Sequence, residues 1–189
     1  MKADEIFYKK SGGGVTLTGG EPLFQPEFSR NLLSLCQQSG IHTAIETCGY
    51  ASWETCKDVL QYVDLVLFDL KHMNSEQHRE YTGVPNDLIL ENARKICHEL
   101  KKPIWARIPV IPGYNDLDQN IHATARFVAT ELGTAVPVYL LAYHQLGESK
   151  YERSERESKS LSITPPTDEH ILELQKIMIS YGLDTHIGG

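Results

Sequence analysis

The sequence predicts an α/β fold built on a parallel sheet, and three observations support this prediction. Five β-type runs alternate with amphipathic helical segments along the 189 residues. The third run, "VDLVLFDL", is almost wholly apolar, as is typical of a strand buried on both faces. Five strands are too few for a closed eight-unit barrel, so an open or partial (β/α) barrel fits better than a doubly wound sheet, although periodicity alone leaves both open.

The predicted elements follow one another at short intervals. The strands are Val15–Thr18, "HTAIETC", "VDLVLFDL", "PIWARIPVI" and "VPVYLLAY". Helices are expected to begin at the following residues or their capping positions: Pro26, Ser52, Asn74, Asp87, Asp118 and Thr167. Residues 147–162 read as a solvated loop, and "THIGG" as a short extended tail.

Helical spacing of apolar residues predicts which helix faces pack inward. The first helix is expected to bury Phe28, Leu32, Leu35 and Cys36. The helix after Asp87 is expected to bury Leu90, Ala93, Cys97 and Leu100.

Composition excludes several classes of function. The formal net charge of −7 argues against general nucleic-acid binding and against docking on an anionic membrane. No apolar stretch approaches the roughly 20 residues that span a bilayer, and "MKADEIFYKK" lacks a signal-peptide core. We therefore expect one cytoplasmic domain, residues 1–189, with neither a membrane nor a nucleic acid as partner.

The four cysteines do not predict a disulfide framework or a metal site. Cys36, Cys48, Cys56 and Cys97 are irregularly spaced, and none falls in a CxxC or CxxxCxxC pattern. Cys36 and Cys97 are expected to pack on apolar helix faces.

Polar residues collect where the predicted strands end, which in parallel α/β folds is the edge that carries the active site. The groups are Thr18-Gly19-Gly20-Glu21, Glu46-Thr47-Cys48, Asp69-Leu70-Lys71-His72, Arg107 and Tyr143-His144. Core packing does not require five strands to deliver such groups to one edge. The pattern therefore predicts a polar ligand site there.

The glycines at the end of the first strand allow two interpretations. Without side chains, Gly19 and Gly20 let a ligand approach their backbone, and Glu21 can meet a cationic group or hold the loop. An ordinary tight turn before a helix explains them equally well. The loop matches neither GxGxxG nor a phosphate-binding GxxxxGK[ST] pattern, so nucleotide phosphate is not its expected target.

The charged residues at the other strand ends also leave alternatives open. Asp69 and Lys71 share a face, so Lys71 is an ion-pair partner, an anion ligand, a Schiff-base amine or part of a structural salt bridge. Glu46 near Asp69 suits a cation or an amine, and Arg107 in an apolar run suits an anion such as a carboxylate. A lone histidine such as His144 is more often structural.

Seven blocks of this sequence, in order and with compatible spacing, resemble one family. They are "GGGVTLTGGEPLFQPEF", "GIHTAIETCGY", "VDLVLFDLKHM", "HREYTGVPN", "RIPVIPGYND", "LLAYHQLGESKY" and the final "IGG". The family is the radical S-adenosylmethionine activating enzymes of glycyl radical enzymes, of the pyruvate formate-lyase activating enzyme type. The resemblance runs from about Asp4 to Gly189.

The resemblance implies a partial (β/α) barrel of the radical-SAM type, S-adenosylmethionine and a [4Fe–4S] cluster. It implies an oxidoreductase that removes a hydrogen atom from a backbone glycine of a partner glycyl radical enzyme, with flavodoxin or ferredoxin as electron donor. The radical chemistry belongs to the cofactor, while the protein supplies positioning and electrostatics.

By position, the resemblance makes Gly19, Gly20 and Glu21 the loop that holds the methionine amino group of the cofactor. It makes Asp69 and Lys71, with Leu70 between them, the cofactor contact at the end of the third strand.

The resemblance also carries further residues. Glu46 and Thr47 flank that contact, and some members have Asp at position 46, where it helps hold a monovalent cation. Arg107 and His144 match contacts to the polar ends of the cofactor.

The sequence departs from the family in the cluster site. The CxxxCxxC loop, which binds the cluster through its thiolates, is missing, together with the first βα unit that precedes it. We therefore expect this chain to be a truncated C-terminal portion with no metal ligands, inactive on its own. The alternatives are a non-catalytic module that binds S-adenosylmethionine or the partner, and a barrel-type Schiff-base lyase using Lys71.

Overall fold

A computed structural model describes residues 13–144 and 163–188. Their strands form one six-stranded sheet, in chain order, and every neighbouring pair is parallel. The strands are β1 (Gly14–Leu17), β2 (His42–Thr47), β3 (Leu65–Asp69), β4 (Ile104–Val110), β5 (Val138–Ala142) and β6 (Thr185–Ile187). Sequential parallel strands joined by helical crossovers are the arrangement of a partial (β/α) barrel, which confirms the predicted fold class.

Six α-helices lie in the described ranges. They are α1 (Pro26–Gln38), α2 (Trp53–Leu60), α3 (Ser75–Thr82), α4 (Asp87–His98), α5 (Asp118–Phe127) and α6 (Asp168–Ser180). A 3-10 turn (Pro22–Phe24) precedes α1, and a π-helical turn (Val128–Leu132) extends α5. Side-chain oxygens of Ser52, Asn74 and Thr167 cap α2, α3 and α6, as predicted.

The predicted extended tail forms the sixth strand of the sheet. Residue Thr185 pairs with Val138 of β5, and the Gly188 N–H donates to the Leu140 carbonyl. Gln175 on α6 donates to the Thr185 carbonyl at 2.7 Å and holds the strand from the helix side. A strand of three residues is too short to give a periodic signal, so the sequence indicated only extended chain.

The two faces of the sheet differ in burial. On β4, Ala106 and Ile108 are completely or almost completely buried in the core, whereas the alternating residues Trp105 and Arg107 are only partly buried. Since successive side chains of a strand point to opposite faces, the core lies on one face and the other face is more open. The charged residues described below lie on that more open face.

Helix α1 packs through a different face from the one predicted. Phe28 and Leu35 are 59% and 58% exposed, while Ser29, Leu33 and Cys36 are buried. The Ser29 hydroxyl donates to the Pro22 carbonyl at 2.7 Å, so a small polar residue can pack against the 3-10 turn at little cost. The prediction that Phe28 and Leu35 face the core was wrong, because it counted apolar residues alone.

Helix α4 shows the same effect. Its buried residues are Ile89, Asn92, Ala93 and Ile96. Leu90 and Cys97, which the spacing placed inward, are only partly buried but do pack against the core. Asn92 turns inward because its amide donates to the Gly49 and Ala51 carbonyls at 2.7 and 2.9 Å.

Some sequence-based expectations lie outside the described residues, namely the solvated loop at 147–162 and the N-terminal stretch 1–10. Within residues 13–144 and 163–188, no helix has both the length and the apolar character needed to cross a membrane.

Candidate functional site

The structure brings most of the predicted site residues to one edge of the sheet. Because all strands are parallel, their carboxyl ends meet at that edge. Pairing of Asp69 with Arg107 across β3 and β4 places an acid and a base side by side. The side chains that meet there come from β2, β3, β4 and the turn after β1.

Arg107 is the centre of this charge cluster. Its Nη1 lies 2.7 Å from Oε1 of Glu46, and its Nε lies 3.4 Å from Oδ1 of Asp69. The Lys71 Nζ lies 3.5 Å from Oδ2 of Asp69, and the Thr18 hydroxyl donates to Oε2 of Glu46 at 2.7 Å. Two acids and two bases from three strands are therefore joined in one network.

Two buried polar atoms of this network lack hydrogen bonds within the described part of the chain. They are Oδ1 of Asp69 and Nε of Arg107, which approach each other without hydrogen-bond geometry. Burial raises the pKa of the Asp69 carboxyl above its ordinary value, and it outweighs the opposite effect of Lys71 and Arg107. Buried polar groups are normally paired, so these two atoms are candidates for ligand contacts.

Glu21 ties the end of β1 to the end of β2. Its Oε1 accepts hydrogen bonds from the Leu23 N–H at 3.1 Å and the Thr47 hydroxyl at 2.7 Å. Its Oε2 accepts from the Cys48 N–H at 2.9 Å and the Cys48 thiol at 3.0 Å. Both oxygens are thus engaged with protein donors, so Glu21 braces the turn that carries the two glycines.

The glycine turn itself borders an open space. Gly19 has a φ of +138°, a conformation that favours glycine. Among the described residues, no atom outside the chain neighbours lies within 4 Å of a Cβ added at Gly19 or Gly20. The turn lines a pocket of about 400 Å³ together with Leu17 and Phe28. Backbone groups of the turn are therefore accessible to a small ligand.

The remaining predicted site residues differ in burial and in their contacts; they are Leu70, Lys71 and His144. The Leu70 side chain lies in the core, so only its backbone can face a ligand at this edge. Lys71 is partly exposed and ion-paired, an environment that gives the Schiff-base hypothesis no support because such amines are desolvated. His144 is exposed two residues beyond β5, and its role remains a prediction.

The four cysteines are free thiols, as predicted. Cys36 and Cys56 are buried, and burial raises the pKa of Cys56 to about 12. Burial, together with the Glu21 carboxylate, raises the pKa of Cys48 to about 11. In residues 13–144 and 163–188, no three His, Cys, Asp or Glu side chains form a group that could hold a metal. The described residues therefore do not fit an iron–sulfur cluster, which needs several thiolates.

Sequence reasoning missed a set of buried asparagines beside this site. Asn86, Asn115 and Asn120 are almost wholly buried and donate to or accept from backbone groups near Lys71. Two of them lie in the blocks "HREYTGVPN" and "RIPVIPGYND", which the sequence singled out without assigning them a role.

Comparison with known proteins gives a consistent result. The sequence profile of the radical SAM superfamily matches residues 1–128. The chain is 46% identical over 159 residues to the isethionate sulfite-lyase activating enzyme of Oleidesulfovibrio alaskensis, which covers 84% of this chain and 50% of that protein. It is 37% identical over 190 residues to the trans-4-hydroxy-L-proline dehydratase activating enzyme of Clostridioides difficile, covering 100% of this chain and 63% of that protein.

A solved structure is similar over almost its whole length. It is a domain of the pyruvate-formate lyase-activating enzyme from Bacteroides vulgatus, with a TM-score of 0.78 and 37% identity. The match covers 94% of this chain and 99% of that chain. By contrast, the chain spans about half the length of the curated relatives it matches.

Proposed function

The chain belongs to the radical SAM superfamily and, within it, to the activating enzymes of glycyl radical enzymes, and from this premise we propose that its charged edge binds the amino-acid end of S-adenosylmethionine. The protein substrate is, on this proposal, a glycyl radical enzyme, and the electron donor a flavodoxin or ferredoxin. The identity of the glycyl radical enzyme is left open, because the activating enzymes similar to this chain are named for several different ones.

The chemistry of the edge fits this ligand. The amino-acid end of S-adenosylmethionine carries an ammonium and a carboxylate beside a positively charged sulfonium. Glu46 and Asp69 provide negative charge for the ammonium, and Arg107 and Lys71 provide positive charge for the carboxylate. Oδ1 of Asp69 and Nε of Arg107, which make no hydrogen bond within residues 13–144 and 163–188, are an acceptor and a donor of the kinds that this ligand requires.

The glycine turn completes the proposed site. Backbone carbonyl groups at Gly19 and Gly20 accept hydrogen bonds from the ammonium, and Glu21 holds that turn against β2 through Thr47 and Cys48. His144 contacts a polar end of the cofactor on this proposal. When bound, S-adenosylmethionine supplies the radical chemistry, while these residues bind and orient it.

The observation that carries the proposal is that Asp69 and Arg107 each keep a buried atom without a hydrogen bond among the described residues. Their network reaches the glycine turn through Glu46, which accepts a hydrogen bond from Thr18. Isothermal titration calorimetry of the chain with S-adenosylmethionine tests it. Asp69→Asn is expected to weaken binding at least tenfold, about 1.4 kcal/mol. Asp58→Asn is the matched control, because Asp58 pairs with Arg30 on the helical layer at 3.2 Å. No heat from the folded wild-type chain, or equal losses in both variants, would reject the proposal.

Activation is tested separately from binding. A CxxxCxxC segment from a relative is fused to this chain, and cleavage of S-adenosylmethionine by the reduced fusion is measured. Cleavage supports the activating-enzyme function. A folded fusion that binds cluster and cofactor without cleavage favours the non-catalytic binding module.

A further inference from the structure

Beyond the charged residues, the segment Lys71–Met73 is held in an unusual way. It follows β3 directly, and the last sheet-type hydrogen bond of this region runs from the Leu70 N–H to the Arg107 carbonyl at 2.8 Å. The backbone of the next three residues has left the sheet. In a region as buried as this, its polar groups need other partners.

The Asn115 side chain provides hydrogen-bond partners for the backbone where the sheet ends. Its Nδ2 donates to the Lys71 carbonyl at 2.8 Å and to the Pro109 carbonyl at 2.6 Å. Its Oδ1 accepts from the Ile111 N–H at 2.8 Å. One side chain therefore ties the residue that carries the site lysine to the loop after β4.

Asn86 and Asn120 hold the following two residues. Asn86 Nδ2 donates to the carbonyls of His72 and Met73, both at 2.9 Å. Asn120 Oδ1 accepts from the Met73 N–H at 2.9 Å, and its Nδ2 donates to the Asn115 carbonyl at 2.8 Å. The three asparagines come from three separate parts of the chain and meet on one segment.

We propose that Asn86, Asn115 and Asn120 are positioning residues that fix the backbone of the segment Lys71–Met73 and thereby place the Lys71 ammonium beside Asp69 for the cofactor. The proposal rests on the function proposed above. We call this set the asparagine clamp. Only a side-chain amide carries both an acceptor and two donors without a charge, so it can serve buried carbonyls and N–H groups together. A carboxylate lacks the donors and a leucine lacks both.

A purely structural role makes a different prediction. Any buried hydrogen bond contributes to stability wherever it lies, so loss of a clamp residue would then lower stability without a specific effect at Lys71. Thr43 offers a matched control, since it is fully buried and its hydroxyl bonds the Tyr62 carbonyl at 2.8 Å at the amino ends of the same strands.

The test compares Asn115→Ala with Thr43→Val in the whole chain. Asn86→Ala serves as a second clamp variant that leaves the Asn115 contacts in place. The first measurement is the rate of acylation of Lys71, followed by mass spectrometry. Lys57 is the internal reference, because it is also ion-paired and is exposed to a similar degree, 41% against 38%. The second measurement is the Kd for S-adenosylmethionine.

The expected result is a several-fold rise in the acylation rate of Lys71 relative to Lys57 in both clamp variants, with binding weakened about tenfold. In Thr43→Val, both values stay at the wild-type level. An unchanged Lys71 rate in variants that remain folded would overturn the proposal. So would a raised rate with unchanged binding, because the clamp would then not serve the cofactor. If the wild type binds no cofactor but the Lys71 rate still rises in the clamp variants, the proposed function fails while the clamp on Lys71 stands.

Discussion

Buried polar groups lie at both ends of β2 and β3, but their hydrogen bonding differs between the two ends. At the amino ends, the backbone N–H of Thr43 donates to Asp64 at 2.8 Å, and the Thr43 hydroxyl bonds the Tyr62 carbonyl. The polar groups at this end are therefore hydrogen-bonded to one another. At the carboxyl ends, Asp69 and Arg107 each keep a buried atom without a hydrogen bond in the described part of the chain.

On the proposed function, this difference separates structural polar groups from ligand-binding ones. A buried acceptor or donor without a hydrogen bond costs free energy, so each such group is a candidate for contact with a ligand or a water. The hydrogen bonds of Thr43 thus join the amino ends of β2 and β3, and we call them the latch at Thr43. The carboxyl ends hold the proposed site, where two buried atoms make no hydrogen bond within the described residues.

The largest expected effect on stability comes from removing the positive charge of Arg107 at the carboxyl ends of the strands. Arg107→Met leaves Glu46 and Asp69 without their shared counter-charge and is expected to lower the unfolding free energy by about 1–3 kcal/mol, less than for a fully buried pair because the cluster is partly exposed. Arg94→Met, which breaks an exposed pair with Glu131, is expected to change it by less than about 0.5 kcal/mol. Urea unfolding followed by circular dichroism measures both. Equal losses would show that the cluster is no more than a surface ion pair.

The next largest effect is expected from removing a hydrogen bond at the amino ends of the strands. Thr43→Val keeps the side-chain shape but leaves the Tyr62 carbonyl without its donor, so we expect a loss of about 1 kcal/mol in unfolding free energy. Because this latch lies at the opposite end of the strands, the Kd for S-adenosylmethionine is expected to stay the same. Calorimetry of the variant checks this. Weakened binding would mean that the two ends are coupled through the sheet.

The sequence predicted the contrast only in part, and the helices show why. Alternation of apolar runs gave the parallel sheet, and parallel strands alone were enough to gather Glu46, Asp69 and Arg107 at one edge. Apolar periodicity found the inward faces of α1 and α4 only in part. It predicted Cys36 and Ala93 correctly, but it missed Ser29 and Asn92, which are buried there through hydrogen bonds to backbone carbonyls. Polar groups that pair with backbone leave no periodic signal.

The same limit applies to the site. Residue type and position placed Asp69 and Lys71 on one face and left an ion pair as one of several roles for Lys71, and the structure shows the ion pair. They did not predict that both Glu21 oxygens would be engaged by Thr47, Cys48 and Leu23. Such contacts depend on how the turn after β1 meets the end of β2, which a single sequence does not specify.

A smaller effect on stability, opposite in sign, is expected at Asp69. Its pKa is raised by burial, so above that pKa the folded protein carries a charge that the unfolded chain accommodates more easily, and stability falls as pH rises through it. Asp69→Asn removes this charge and is expected to raise the melting temperature at neutral pH, while cofactor binding weakens at least tenfold. Differential scanning fluorimetry at pH 7.5 measures the change. A lower melting temperature would show that pairing with Lys71 and Arg107 outweighs desolvation.

The smallest effect concerns pH and the imidazole next to Lys71. Burial lowers the pKa of His72 below its ordinary value of 6.5, and its Nδ1 accepts a hydrogen bond from the Asn74 N–H at 3.0 Å, which requires the unprotonated nitrogen. As the pH falls below 6.5, the unfolded chain gains a proton that the folded protein resists, so stability is lost from that point downwards.

His72→Asn keeps an acceptor in the side chain but does not titrate, and so it isolates this contribution from the other histidines. We expect the wild type to lose more unfolding free energy than the variant between pH 7.5 and pH 5.5, as measured by urea titration at each pH. Equal slopes would place the acid sensitivity elsewhere. A steeper slope in the wild type would place part of the acid sensitivity at His72, beside the asparagine clamp.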